Sequence, residues 1–196
     1  PDVARLKAKR DLKGLLKALN YQKDTAVRRN AAAALEAIGA PAVEPLVAVI
    51  QSGEHQELET VAKVLGNIGD NRAVNALIAA AQNKSGYCLV ERAAIEALAK
   101  IGDRRAIEPL VVIYRRDRFT VGRGVASEAA HALMALGWQP DDMIEQLRFW
   151  MFDKDWWDKC VELGSRAVPY LILQLDHRDT FIAAATILER IGDTAA

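Results

Sequence analysis

The side chains best equipped for chemistry are few and scattered. The three histidines, His55, His131 and His177, include no two at a spacing that suits metal ligation, so no metal site is expected. Ser127 and His131 lie one helical turn apart, close enough for an imidazole to take a hydroxyl proton. Neither the orienting acid nor the oxyanion donors of a hydrolytic triad accompany them. Asp141, Asp142 and the carboxylates of 153–158 read as helix starts, where acids cap free amides and oppose the dipole. There is no glycine-rich phosphate loop. The residues therefore predict a protein that is not an enzyme and that carries no cofactor.

Two clusters remain that could recognise a ligand. The first is 115–124, where Arg115, Arg116, Arg118 and Arg123 surround Phe119 just ahead of a helix predicted to begin near Val125. Guanidinium groups beside a helix N-terminus suit a phosphate or carboxylate, which makes Arg116, Arg118 and Arg123 candidate anion-binding residues. The competing reading is a solvated loop whose arginines pair with neighbours such as Asp117 and Glu128. The second cluster holds all four tryptophans, Trp138, Trp150, Trp156 and Trp157, together with Phe149 and Phe152. Those rings form either a repacked structural joint or a recognition pocket.

The elements that would position these groups are helical. Apolar residues make up 51% of the 196-residue chain and aromatics only 6%, so alanine supplies much of the core and helices are expected to pack closely. Lysine plus arginine equals aspartate plus glutamate at 26 each, which argues against nucleic acid or an anionic membrane as partner. Any electrostatic recognition must be local. Two cysteines, no apolar run of membrane-spanning length and no signal-like start give a cytoplasmic expectation.

One unit recurs along the chain. Val90, Ala94, Leu98 and Ile101 form a helical stripe, Gly102 ends it, Asp103 caps the next turn, and Ile107, Leu110 and Val111 line a second helix. The closing signal repeats at Ile38-Gly39, Ile68-Gly69-Asp70, Ile101-Gly102-Asp103, Leu136-Gly137, Leu163-Gly164 and Ile191-Gly192-Asp193, with glycine spacings of 30, 33, 35, 27 and 28. The second helices repeat as Ala-Val-Glu-Pro-Leu-Val from Ala42, Ala-Val-Asn-Ala-Leu-Ile from Ala73, Ala-Ile-Glu-Pro-Leu-Val from Ala106 and Ala-Val-Pro-Tyr-Leu-Ile from Ala167. Pro45, Pro109 and Pro169 predict that each regular helix starts close to its proline, after a preliminary turn. A period near 30 on helical pairs means an α-solenoid.

This pattern resembles the HEAT repeat, in particular the short HEAT-like repeats named after phycobilisome lyases, over nearly the whole chain. The fold expected is all-α: a right-handed α-solenoid of about five to six HEAT-like hairpins, roughly 12 helices. The chain reads as a single array, 1–196, with regular repeats over 11–137, a Trp-rich joint over 138–164 and closing repeats over 165–193. Its last first-type helix has no second helix after it, as in a fragment of a longer array or a terminal repeat that lost its partner.

The resemblance also implies that the second helices line a concave face. The positions pointing away from the packed stripe would be Lys13, Lys17 and Asn20; Glu44, Ala48 and Gln51; Asn75, Ala79 and Gln82; Glu108, Val112 and Arg115; Glu145, Phe149 and Phe152; Pro169, Leu173 and Asp176. The groove turns apolar from Val112 onward, so Glu108, Val112, Arg115, Glu145, Phe149, Phe152 and Leu173 are the candidate partner-binding residues. The function expected is a non-enzymatic scaffold that binds a protein or peptide there. The alternative is a phycobilin-lyase-like or chaperone subunit holding a tetrapyrrole or other anionic ligand between the arginine loop and the tryptophans. The histidines are followed by Gln56, Ala132 and Arg178, not by the glutamates of the HEAT-like deoxyhypusine hydroxylases, so that chemistry is not expected.

Overall fold

The computed structural model describes the chain apart from 54–56, 84–87, 118–124, 152–156, 177–179 and 195–196, and apart from the side chains of Cys88, Asp117, Met143, Ile144, Arg148, Asp193 and Thr194 within helices. Among the described residues there are thirteen α-helices: α1 (Val3–Ala8), α2 (Leu12–Leu19), α3 (Thr25–Ile38), α4 (Val43–Ser52), α5 (Leu58–Ile68), α6 (Val74–Gln82), α7 (Cys88–Ile101), α8 (Ile107–Asp117), α9 (Ala126–Ala135), α10 (Met143–Trp150), α11 (Trp157–Glu162), α12 (Val168–Gln174) and α13 (Phe181–Thr194). Odd-numbered helices open hairpins and even-numbered ones close them. The short α1 is the first member of its pair, packing on both α2 and α3. The odd helices α1, α3, α5, α7 and α9 stack in series, and α4, α6 and α8 form a second layer beside them.

Alanine and glycine set how close the stack can become. Ala31, Ala34, Ala62, Ala93, Ala94, Ala97, Ala129 and Ala130 are all buried, between the large contacts Leu35, Leu65, Leu98 and Leu133. At the tightest point a Cβ on Gly66 of α5 would lie 2.7 Å from the Cα of Ala97 on α7, inside contact distance with backbone. Leucine side chains fill the layer while small residues let the helical backbones meet.

The turns obey the predicted signals and add one that the repeat pattern does not display. Gly39, Gly69, Gly102, Gly137 and Gly164 take φ between +55 and +75, the region glycine enters without steric cost. Short 3-10 turns at Ala40–Ala42, Arg104–Ala106 and Gly164–Arg166 precede α4, α8 and α12, the preliminary turns that Pro45, Pro109 and Pro169 imply, and Asn71–Ala73 forms the same turn before α6, which has no proline. In two of them the aspartate after the glycine does double duty. Asp70 accepts the backbone N–H of Arg72 at 3.0 Å and its guanidinium at 2.7 Å, while Arg72 Nη2 reaches back to the carbonyl of Ala40 at 2.9 Å. Asp103 and Arg105 repeat the arrangement one unit later, with Arg105 Nη2 donating to the carbonyl of Asn71 at 3.0 Å. Each Asp-x-Arg clips its turn to the turn before it. A parallel ladder crosses the first helices, where Asn67 donates to Glu36 at 2.7 Å and accepts from Lys100 at 2.8 Å.

The last closing signal behaves differently. Gly192 does not end its helix, and α13 runs through it to Thr194. At the five other closing glycines the chain turns back into a second helix, and that turn fixes the positive φ.

This packing and these clips lead to two expected outcomes. Gly66→Ala, despite the gain of about 1 kcal/mol an alanine normally brings to a helix interior, should lower stability by about 1–3 kcal/mol as α5 and α7 are forced apart. Gly192→Ala, which meets nothing within 4 Å, should raise it by about 0.5–1 kcal/mol. Urea titration distinguishes the two, and a stabilised Gly66→Ala would contradict the close approach. The Arg72 side chain holds the Asp70 carboxyl down from 3.8 to about 2. Its stabilisation is therefore complete above the ordinary carboxylate range and is lost as pH falls toward the lowered value. The melting temperature of Asp70→Asn should accordingly fall less steeply than that of the native chain between about pH 4 and pH 2, measured in parallel thermal scans.

Candidate interaction surface

The predicted outward positions face solvent on four consecutive second helices. Lys13, Lys17 and Asn20 of α2, Glu44, Ala48 and Gln51 of α4, Asn75, Ala79 and Gln82 of α6, and Glu108, Val112 and Arg115 of α8 are all exposed. Inward of them Leu15, Leu19, Val43, Leu46, Val74, Leu77, Leu110 and Tyr114 are buried, so one stripe serves the core and the opposite one serves the surface. Val112 is 58% exposed between Glu108 and Arg115 on the same face of α8.

The rule fails at α10, and the failure corrects the expected apolar run. Phe149 is fully buried rather than facing the groove. Its ring meets Tyr114 of α8 edge-on at a centroid distance of 5.5 Å and Trp138 edge-on at 5.2 Å. The link from Gly137 to α10 contains no 3-10 turn, and α10 packs its backbone most closely against α11 and α12. The helix therefore enters in a different register from α4, α6 and α8, and the slot occupied by exposed Ala48, Ala79 and Val112 turns inward. Glu145, half-buried on α10, accepts from Arg115 through two parallel bonds of 2.8 and 2.9 Å. That carboxylate holds the guanidinium pKa above its usual value. Arg115 and Glu145 are thus brought together as a clip between α8 and α10.

The other candidates separate. Leu173 is 60% exposed on α12, beside Ile172 at 53%, but the expected continuity from Val112 is broken by the inward turn of Phe149. Arg116 is half-buried and engaged. Arg118, Arg123 and Phe152 lie outside the described residues. Of the tryptophans, Trp150 is buried under the Lys159 ammonium at 5.8 Å, and half-buried Trp157 donates to the carbonyl of Met151 at 3.3 Å. The aromatic rings that are described pack into the core, Phe149 and Trp150 buried and Trp138 and Trp157 half-buried. Cys160 is fully buried within it, and burial pushes its thiol up to about 12.

His131 is exposed on α9 and Ser127 half-buried one turn before it, while nearby Glu128 is taken by Arg92 at 2.7 Å. His55 and His177 lie outside the described residues. No group of three or more His, Cys, Asp or Glu among the described residues stands close enough to hold a metal ion. No single helix among them is long and apolar enough to cross a membrane.

Helical hairpins stacked in two layers, five of them turned by a glycine and four reset by a 3-10 turn, define an α-solenoid. Within that class residues 45–131 match the model for HEAT repeats, and residues 27–52 match the PBS lyase HEAT-like repeat. This is a HEAT-like repeat protein. Among curated proteins, none matches the chain.

The two links between α8 and α10 yield a contrast. Phe149→Ala removes a buried ring with two edge contacts and should cost about 3–5 kcal/mol. Arg115→Ala breaks a pair whose arginine is 53% exposed and should cost under about 1 kcal/mol. Denaturant midpoints of the two variants measure the difference.

Proposed function

We propose that this protein is a non-enzymatic scaffold that binds a protein or peptide along its second helices. A single observation carries the reading: the same three slots of α2, α4, α6 and α8 all face solvent on a closely packed frame. A strip of small, neutral and mixed-charge side chains suits an extended or helical segment laid across several repeats, with Val112 as an apolar contact between two charges. Repeat scaffolds gain affinity from such length, since each unit adds a modest contact to one already oriented. The scaffold is placed in the cytoplasm as part of the same proposal, a setting in which the buried thiol of Cys160 stays reduced.

The tetrapyrrole reading requires aromatic faces open to a ligand. Phe149 and Trp150 have spent theirs on core packing, so no specific observation favours it.

Capture from a lysate of the source cells, with mass spectrometry of what is retained, tests the scaffold. Val112→Asp should release at least one partner held by the native chain, with its melting temperature unchanged because the residue is exposed. Retention of every partner by Val112→Asp and by a Glu108→Lys, Ala79→Glu double variant would overturn the assignment to this face.

A further inference from the structure

Neutrality of the whole chain hides an uneven distribution. Residues 1–29 carry nine of the 26 basic residues and three of the 26 acidic ones, a local excess of six positive charges that the remainder balances with an excess of six negative. Arg5, Lys7, Lys9, Arg10, Lys13, Lys17, Lys23 and Arg29 are all exposed. Among the described residues none of the eight has an ion-pair partner, and within 1–29 only Arg28 does, reaching Glu57 at 3.9 Å. The cations of α1 and α2 therefore project an unneutralised field from one end of the strip.

A cavity opens within that field. Where the last turns of α2 and α4 meet the first turn of α5, a space of about 380 Å³ is walled by Leu16, Leu19, Val49 and Val61, with Lys17 and Asn20 on its α2 side. That volume is at the small end of the range for ligand pockets, enough for one bulky side chain with its backbone. Lys13 stands one turn before Lys17 on the same exposed face. Glu57, at the start of α5, also lines the cavity, with its carboxylate turned to Arg28 at 3.9 Å and to the hydroxyl of Thr60 at 3.4 Å.

We infer that this pocket takes the bulky apolar side chain of an acidic peptide segment, whose carboxylates are held by Lys13 and Lys17. The aliphatic walls supply the anchor, the asparagine a hydrogen-bonding group at the rim, and the lysines sign selectivity. A nucleic acid fits these observations less well, since the described residues of the lining include no aromatic ring on which a base could stack. The inference rests on the scaffold reading and deepens it by naming the chemistry of one bound segment.

The test uses short fluorescein-labelled peptides with a central Leu or Phe among Asp and Glu residues. Matched peptides replace the central residue by Gly or the acids by Asn and Gln. Fluorescence anisotropy with the full chain should show binding only when both features are present, weakened at least about tenfold by Lys13→Glu with Lys17→Glu and by raised salt. Val49→Trp, which fills the cavity, should weaken binding by a similar factor. The lysine variants alter exposed residues only and keep the test valid should Val49→Trp disturb folding. Absence of binding by every acidic apolar peptide overturns the inference, as does binding indifferent to the central residue. Tighter binding of an oligo(dT) probe or of phosphatidylserine vesicles that is lost in the same lysine variants overturns it too, in favour of those partners. Should the peptides fail while Val112→Asp still releases a captured partner, the pocket inference falls and the scaffold stands. Failure of the capture experiment with peptide binding intact leaves the pocket in place and removes the strip.

Discussion

The approach of α5 to α7 through Gly66 and Ala97 is the constraint on which the rest of the architecture depends. Two helical backbones in contact leave no room for large side chains on the shared line, so bulk has to go elsewhere. It goes to the leucines at 35, 65, 98 and 133, which fill one layer each. With the interior so divided, each early hairpin depends chiefly on its immediate neighbours, and the outward stripe of α2, α4, α6 and α8 is freed from core packing. Ala48 and Ala79 on that stripe contribute little bulk, which keeps the exposed strip shallow.

Where the small-residue rule is broken, the frame changes character. Phe149, Trp150 and Trp138 bring volume into a region where earlier repeats use alanine, and α10 turns away from the register of α4, α6 and α8 to accommodate them. Backbone proximity is exchanged there for side-chain contact: edge-on rings and one bidentate Arg115–Glu145 pair link α8 to α10. Rings of this size give dispersion contact across a wider gap than alanine could bridge.

Most of the fold was legible in the sequence, because its cause is periodic. The glycines at 39, 69, 102, 137 and 164 mark turns, the prolines mark helix starts, and the Leu and Ala slots mark the core. The departures are the places where periodic reasoning has no purchase. Phe149 occupies a slot that is outward at the equivalent positions of earlier repeats, and only the partners Tyr114 and Trp138, distant in sequence, turn it inward. Gly192 carries the same local signal as its counterparts, yet α13 continues through it to Thr194. The role of Arg72 and Arg105 was hidden for another reason, since each reaches a backbone carbonyl of the preceding unit, and a carbonyl has no signature in the amino-acid string. The basic character of 1–29 could have been found by counting charge in windows, because a sum over the whole chain cancels it.

The Asp-x-Arg clips also give the array a mechanical grain. Each spans one boundary only, joining the turn at Asp70 to Ala40 and the turn at Asp103 to Asn71, so tension along the array is passed from unit to unit through short charged links. The link after Gly137, where Trp138-Gln139-Pro140 replaces the motif, has no such clip. Under stretch the early repeats would resist as a ratchet resists, boundary by boundary. At the seam between α9 and α10 the load falls instead on the Arg115–Glu145 pair and the edge-on contacts of Phe149, which tie α10 back to α8.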